Sequence, residues 1–416
     1  MLFSKRRIYL DYASAPPVLQ EAISAMRKSE TFIGNPGAIH KEGVSAKKNL
    51  EDSRTRIAGI LGCKSSELVF TSGLTEANNL AILGFAHSLE RTKRTLAGTH
   101  WIASSIEHDS ILACFSEIER MGGSVSYIPP DERGIILPKT IEKTMRTETV
   151  FLSVGWANNE IGVVQPLGKI ARVLREHEKK HGIRITFHSD AGQAPLYLPT
   201  VVHSLGIDLL SLGGNKLYGP HGIGALYVGK NTSINSIVFG GKQERGLRAG
   251  TESVALATGL ASAFEIIAQD RKNEADRLRK MRDQLADTLL ARIPSLIVNG
   301  DLQHALPHML NISIPHINSE YIALAIDRAG IAISTKSACR EGEESRSHVV
   351  EALGDAKNAV SSVALLCPSV ALREGGAKED RAQNTLRFSL GRETSERDIK
   401  NTAIKLEQIL EKYNAK

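Results

Sequence analysis

An α/β fold built on a mostly parallel sheet follows from three features of the sequence. Short apolar runs bounded by turn residues alternate with amphipathic helical stretches between about residues 67 and 228, as expected for buried strands joined by crossover helices. The runs at 67–71, 101–104, 125–128, 150–154, 183–188 and 208–212 read as strands, and 109–121 and 166–181 as helices between them. A chain of 416 residues is also long enough for two or more domains with a substantial core.

Taken in order, the chain opens with MLFSKRRIYLDYAS, whose apolar run before Asp11 is three residues long, too short for a signal peptide. No window approaches the ~20 apolar residues of a membrane span. Hydrophobic residues make up 42% and charged residues 24%, the balance of an ordinary globular protein. Lys and Arg (52) exceed Asp and Glu (46) by 6, with no basic block. That suits anionic ligands and gives no nucleic-acid signature. Cys63, Cys114, Cys339 and Cys367 show no paired spacing, so neither a disulfide framework nor a metal site is expected and a cytoplasmic location fits.

Residues 254–293 are almost continuously helical in pattern and densely charged after Gln269. They read as a surface helix leading to a second, smaller α+β domain from about residue 295. Its strand-like runs are 311–314, 331–334 and 386–389. We expect a large domain at 15–265 and a small one formed by 1–14 with 266–416. Residues 355–384 have no clear period and read as a long loop.

The chemistry centres on 208–229, where two apolar runs flank a Gly-Gly break and Lys216. A lysine pressed into a turn between buried strands loses solvation, its pKa falls, and it can attack a carbonyl; it can equally snorkel to solvent as a structural residue. Ligands of open parallel sheets lie beyond the carboxyl ends of the strands, and several other polar groups fall there. Ser72, Gly73, Leu74 and Thr75 open a helix after 67–71, either as a phosphate cup or as a plain N-cap. Asp190 follows 183–188 and either holds a charged partner or caps a turn. A pyridoxal phosphate site needs a lysine for the Schiff base and an acid at the pyridinium nitrogen, and Asp190 and Lys216 stand on consecutive strand ends. His108 follows another strand and either stacks on a cofactor ring, shuttling protons, or is an incidental surface residue.

Ten stretches, in order, carry a resemblance: YLDYASAPP, GNPGAIHKEG, LVFTSGLTEANNLAI, IEHDSIL, ANNEIGVVQPL, HSDAGQ, GGNKLYGPHGIGALYV, GGKQERGLRAGTES, STKSAC and LRFSLGR. The chain resembles the pyridoxal-phosphate cysteine desulfurases of the NifS/IscS type, within the class V aminotransferases, over nearly its whole length. The resemblance implies a fold-type I homodimer with a seven-stranded sheet in the large domain. It implies that Lys216 bonds the cofactor, Asp190 pairs with the ring nitrogen, His108 stacks on the ring and Gln193 meets its hydroxyl. Gly73, Leu74 and Thr75 would hold the phosphate, Thr251 would reach the phosphate of the neighbouring subunit, and Asn159 and Arg387 would bind the substrate carboxylate. A guanidinium suits that task through paired hydrogen bonds; the alternative for Arg387, a surface ion pair, sits poorly with its apolar LRFSL setting.

Cys339 matches the sulfur-accepting cysteine of the family. By itself a free cysteine is commonly a small core hydrophobe, but Lys336 and Arg340 beside it favour the thiolate. Cys63 and Cys114 read as structural. The implied activity converts L-cysteine to L-alanine with sulfur passing to Cys339 as a persulfide, and thence to an iron–sulfur scaffold or a tRNA-thiolation protein. A selenocysteine lyase or another class V enzyme is the alternative, and a non-catalytic sulfur-assembly scaffold a second. Departures from the family pattern are Asn215 where a histidine is usual, Gly213 where a serine is usual, and Lys336 near the nucleophile. The stretch 355–384, containing Cys367, is also about twenty residues longer than in relatives.

Overall fold

Strand formation follows the alternation of apolar runs with Gly-, Asn- and Ser-rich turns, and the strands assemble into two principal sheets. The computed structural model describes residues 7–31, 33–93, 95–335, 346–353 and 381–414. In chain order the strands are β1 (Ile8–Tyr9), β2 (Leu68–Thr71), β3 (His100–Ser104), β4 (Ser124–Ile128), β5 (Thr149–Ser153), β6 (Thr186–Asp190), β7 (Leu209–Gly213) and β8 (Gly224–Val228). The remainder are β9 (Ile297–Val298), β10 (Met309–Ser313), β11 (Ile331–Ala332) and β12 (Thr385–Ser389).

The large sheet has seven strands in the order β2-β8-β7-β6-β5-β3-β4. Only β8 runs against its neighbours; β7, β6, β5, β3 and β4 are mutually parallel. Strands β2, β3 and β7 are buried at every residue, which is why they read as continuous apolar runs rather than alternating ones. The parallel arrangement places the loops after β3, β5, β6 and β7 on one edge, together with the turn after β2.

The helix Val254–Arg292 is 39 residues long and contains no proline. Its start is fixed by Ser253, whose hydroxyl accepts the Leu256 N–H, and Pro294 follows its end. It packs against the helices Gln20–Glu30, Lys41–Leu61 and Glu396–Asn414. Beyond it, β9, β10 and β12 form a three-stranded antiparallel sheet.

The amino-terminal segment stitches this second sheet to the first. Strand β1 pairs with β11, the Leu10 N–H donates to Ala332 O at 2.9 Å, and the Ser389 N–H donates to Leu10 O at 2.8 Å. Residues Asp11 to Ser14 then pass along the carboxyl edge of the large sheet.

Two differences from the sequence reading have physical causes. Strand β6 starts at Thr186, not at 183, because the preceding residues close a helix: Gly182 adopts a left-handed C-cap, the Ile183 N–H donates to Glu178 O, and the Ile185 N–H donates to the Glu178 carboxylate. Most of the loop expected at 355–384 lies outside the described residues, but 381–383 at its end are helical.

A buried ion pair fixes the 240–251 segment to β2. The Arg54 guanidinium donates to both Glu244 oxygens at 2.7 Å and lies 4.6 Å over the Phe70 ring. Glu244 also accepts the Phe70 N–H at 2.8 Å. Glu244 and Arg245 hold left-handed backbone conformations, φ 46° and 60°, strain that this bidentate contact offsets.

Candidate active site

The carboxyl edge of the large sheet encloses a cavity of about 360 Å³. Lys216 reaches it from a short turn between β7 and β8. That turn exists because Gly224 lets the hairpin approach the end of β2: a Cβ there would lie 2.6 Å from Gly73 C and 2.6 Å from Leu212 O. Lys216 is half-buried, and its Nζ donates to Ala13 O at 2.9 Å and Ser14 O at 2.6 Å. It is therefore not a solvated surface lysine.

Asp190 ends β6 with both carboxylate oxygens fixed. Oδ2 accepts from Asn78 Nδ2 at 2.7 Å and Oδ1 from the Gly192 N–H at 2.7 Å. His108 is the N-cap of the helix Asp109–Arg120. Its Nδ1 accepts the Ser110 N–H at 3.1 Å, so the neutral ring carries its proton on Nε2. Gln193 is buried; Nε2 donates to Ala13 O at 2.9 Å, and Oε1 has no partner among the described residues.

Gly73, Leu74 and Thr75 stand at the start of the helix Leu74–Lys93, whose first-turn N–H groups have no partner inside the helix. Glu76 in the same turn accepts the Ser72 N–H at 2.8 Å and pairs with Arg248 at 2.9 Å. The position of Gly213 is explained by Leu74: a Cβ at residue 213 would lie 2.8 Å from Leu74 Cβ, so leucine here excludes any larger residue there without movement. Asn215 lines the cavity.

Arg387, 2% exposed, is a buried cavity residue rather than a surface ion-pair partner. Its Nη1 donates to Asn159 O at 2.9 Å, and Nη2 to Asp11 Oδ1 at 2.9 Å and Ser14 Oγ at 2.6 Å. Nε has no partner among the described residues. Strand β12 presents this side chain because its register sets Arg387 opposite Asn311.

Thr251 is exposed and does not line this cavity. Cys339, Lys336, Arg340 and Cys367 lie outside the described residues. Cys114 is buried, donates from Sγ to Ser110 O at 3.1 Å, and has its thiol pushed up to about 12 by burial. Burial raises the half-buried Cys63 to about 12 as well. Neither has the exposed, cation-flanked setting of a reactive thiolate.

Sequence reasoning missed four residues of the site: Asp11, Ser14, Asn78 and Glu107. Asn78 falls three residues after Thr75, on the same helical face, and that spacing was the available signal. Glu107 had none beyond its place before His108. It is buried, and its Oε1 accepts the Gly155 N–H at 2.8 Å. Burial pushes its carboxyl up to about 8, the Asp190 carboxylate acts in the same direction, and the Gly155 N–H opposes it.

Above its ordinary value near 4.5 the unfolded chain gives up this proton, while the folded protein holds it up to about 8. Folding stability therefore falls as pH rises through that window. Glu107→Gln keeps an acceptor for Gly155 and mimics the protonated acid, so its melting temperature is expected to fall less than that of wild type between about pH 5 and pH 8. Parallel melting profiles for the two proteins would show that Glu107 does not titrate in this range.

The sequence profile described as aminotransferase class-V matches residues 8–401. A relative named cysteine desulfurase IscS from Dictyoglomus turgidum is 36% identical, aligned over 98% of this chain and 95% of its own length. Among solved structures, a NifS-like protein superposes with a TM-score of 0.83 at 28% identity, covering 97% of this chain and 99% of that one. A structure titled SspA in complex with cysteine gives 0.74 at 32% identity, covering 92% and 98%. With a family profile spanning almost the whole chain and relatives alike from end to end, the protein belongs to the aminotransferase class V family.

Proposed function

We propose that this protein is a pyridoxal 5′-phosphate-dependent cysteine desulfurase that converts L-cysteine to L-alanine and passes the sulfur to Cys339. The observation that carries this reading is the convergence of Lys216, Asp190, His108, Gln193 and Arg387 around one cavity. The residues suit the cofactor. Gln193 Oε1 and Asn78 Oδ1 are buried polar atoms lacking partners among the described residues, and a bound ring hydroxyl can satisfy the former. The helix start at Gly73–Thr75 offers N–H donors to a phosphate, with Asn215 as a further donor. Asp190, held by Asn78 and the Gly192 N–H, is oriented to pair with a pyridinium nitrogen.

When bound, the cofactor supplies an electron sink for the pair left at the substrate Cα as its proton departs. The chain's own groups do the rest. Arg387 and Asn159 hold the substrate carboxylate and fix the amino acid's orientation. Lys216 Nζ takes the Cα proton and delivers it on the path to product, and His108 Nε2 stacks beside the site as a proton donor. The Cys339 thiolate attacks the substrate sulfur: a sulfur–sulfur bond forms, the Cβ–S bond breaks, and its electron pair stays with carbon. That carbon takes up a proton to become the methyl group of alanine. Carbon is thereby reduced and sulfur oxidised, and no outside oxidant is needed.

Several observations support a homodimer. Thr251 is exposed at the end of a segment anchored by the Arg54–Glu244 pair, free to reach the phosphate of a second copy. Large apolar side chains stand exposed at Ile39 (98%) and Phe239 (83%), which a partner surface would cover. The sulfur then passes to an acceptor protein, an iron–sulfur scaffold or a tRNA-thiolation factor. No helix among the described residues is long and apolar enough to cross a membrane.

Cys339→Ala tests the thiol's role. This variant is expected to keep the yellow colour and the cysteine-induced spectral change of wild type while releasing no sulfide under dithiothreitol. Wild-type turnover in it would remove Cys339 from the reaction and favour a lyase mechanism.

A further inference from the structure

The hydrogens on one side of the Arg387 guanidinium are committed within the chain. Nη2 carries two of them, and it donates to Asp11 Oδ1 at 2.9 Å and to Ser14 Oγ at 2.6 Å. The Ser14 hydroxyl passes its own proton to the same Asp11 oxygen at 2.9 Å. Arg387, Ser14 and Asp11 therefore close a ring of hydrogen bonds in which a carboxylate is set against the guanidinium. Little water reaches it: the side chains are 2% exposed at Arg387 and 18% at Asp11.

The backbone beneath this ring is pinned. The Ser14 N–H donates to Asp11 O at 3.2 Å and the Tyr12 N–H to Ser389 O at 3.3 Å, while the Ala13 N–H donates to Ser389 Oγ at 2.9 Å. The Tyr9 hydroxyl lies 3.0 Å from Asp11 O and 2.9 Å from Ala15 O. Ala13 O accepts from Gln193 and Lys216, and Ser14 O from Lys216. Rotation about the Ser14 Cα–Cβ bond opens the ring without moving any of this backbone.

Ser14, Asn159 and Arg387 line the cavity, and Asp11 does not. A carboxylate arriving from the cavity meets an Nη1 that shares its hydrogens with Asn159 O and an Nη2 whose hydrogens are both engaged. To bridge the two nitrogens it must take one hydrogen from Ser14, and its charge must settle near that of Asp11. The bond it gains at Nη2 is thus an exchange of partners, which is worth much less than a bond made to an unengaged donor.

We propose that Ser14 and Asp11 are positioning residues that hold the Arg387 fork in place and weaken its grip on an amino-acid carboxylate. The inference rests on the desulfurase reading above. Cysteine and alanine carry the same carboxylate, so a stronger grip would bind substrate and product alike. Such uniform binding lowers KM without raising kcat, and it delays the departure of alanine. The Ser14 hydroxyl, kept beside the site by Asp11, is the acceptor that takes the Nη2 hydrogen back as product leaves.

The test reads equilibrium binding to the holoenzyme. L-alanine, and ethylamine as its carboxylate-free counterpart, are titrated while the absorption change is followed. Ser14→Ala is expected to tighten L-alanine binding about three-fold or more, with the ethylamine midpoint shifted by less than about two-fold. Asp11→Asn keeps an acceptor for Nη2 and removes the charge; it should tighten L-alanine in the same way, and it carries the test should Ser14→Ala fail to fold. Unchanged or weaker L-alanine binding in either folded variant overturns the proposal. Equal tightening of both amines overturns it too, because the effect would then not act through the carboxylate. Wild-type enzyme that forms no alanine from L-cysteine overturns the desulfurase reading itself, a result distinct from either of these.

Discussion

Lys216→Ala is expected to yield a folded protein without the yellow absorption of the holoenzyme and with cysteine turnover lower by at least about a thousand-fold. On the proposed reading two roles are lost together, the covalent attachment of the cofactor and the base that takes the Cα proton. The protein should still fold. Nζ sits at a half-buried turn, and Ala13 and Ser14, whose carbonyls accept from it, line the cavity, where water can replace the ammonium. Borohydride reduction followed by peptide mapping checks the assignment directly. Wild type should carry the reduced adduct on the peptide containing Lys216, and the variant should carry none. An adduct of equal yield on another lysine of the variant would transfer the role elsewhere and leave Lys216 as a structural residue bonded to the Ala13 and Ser14 carbonyls.

The strand ends were legible because each is announced locally. A run such as LVFT followed by Ser-Gly-Leu-Thr marks a buried strand, a turn and a helix start within eight residues, and the structure has β2 and the helix Leu74–Lys93 at those positions. Lys216 is marked in the same way by the glycines on either side of its turn. Asp11 and Ser14 carried no such signal. Their importance comes from contacts spanning more than 370 residues, Arg387 to Asp11 and Arg387 to Ser14, and no local pattern encodes a contact of that kind. The boundary of β6 was misplaced for a related reason: Ile183 and Ile185 look like strand residues, yet the helix before them claims their N–H groups.

That non-local cluster makes Arg387 the most informative position for specificity. Its guanidinium is shared among Asn159 O, Asp11 Oδ1 and Ser14 Oγ, and Nε is without a partner among the described residues. A substrate carboxylate entering the cavity offers two acceptor oxygens to a fork already oriented by Asp11. Charge-assisted hydrogen bonds contribute about 1.5–3 kcal/mol each, so losing two lowers kcat/KM by roughly a hundred-fold to ten-thousand-fold. Arg387→Lys keeps the charge but not the planar fork and should fall between wild type and Arg387→Ala. The decisive comparison is L-cysteine against cysteamine, which lacks the carboxylate. Wild type should prefer cysteine strongly, and Arg387→Ala should lose most of that preference while its residual activity on cysteamine stays near the wild-type level. If the alanine variant instead lost activity on both thiols by the same factor, Arg387 would be a buried structural cation neutralising Asp11, and the substrate carboxylate would have to be bound elsewhere.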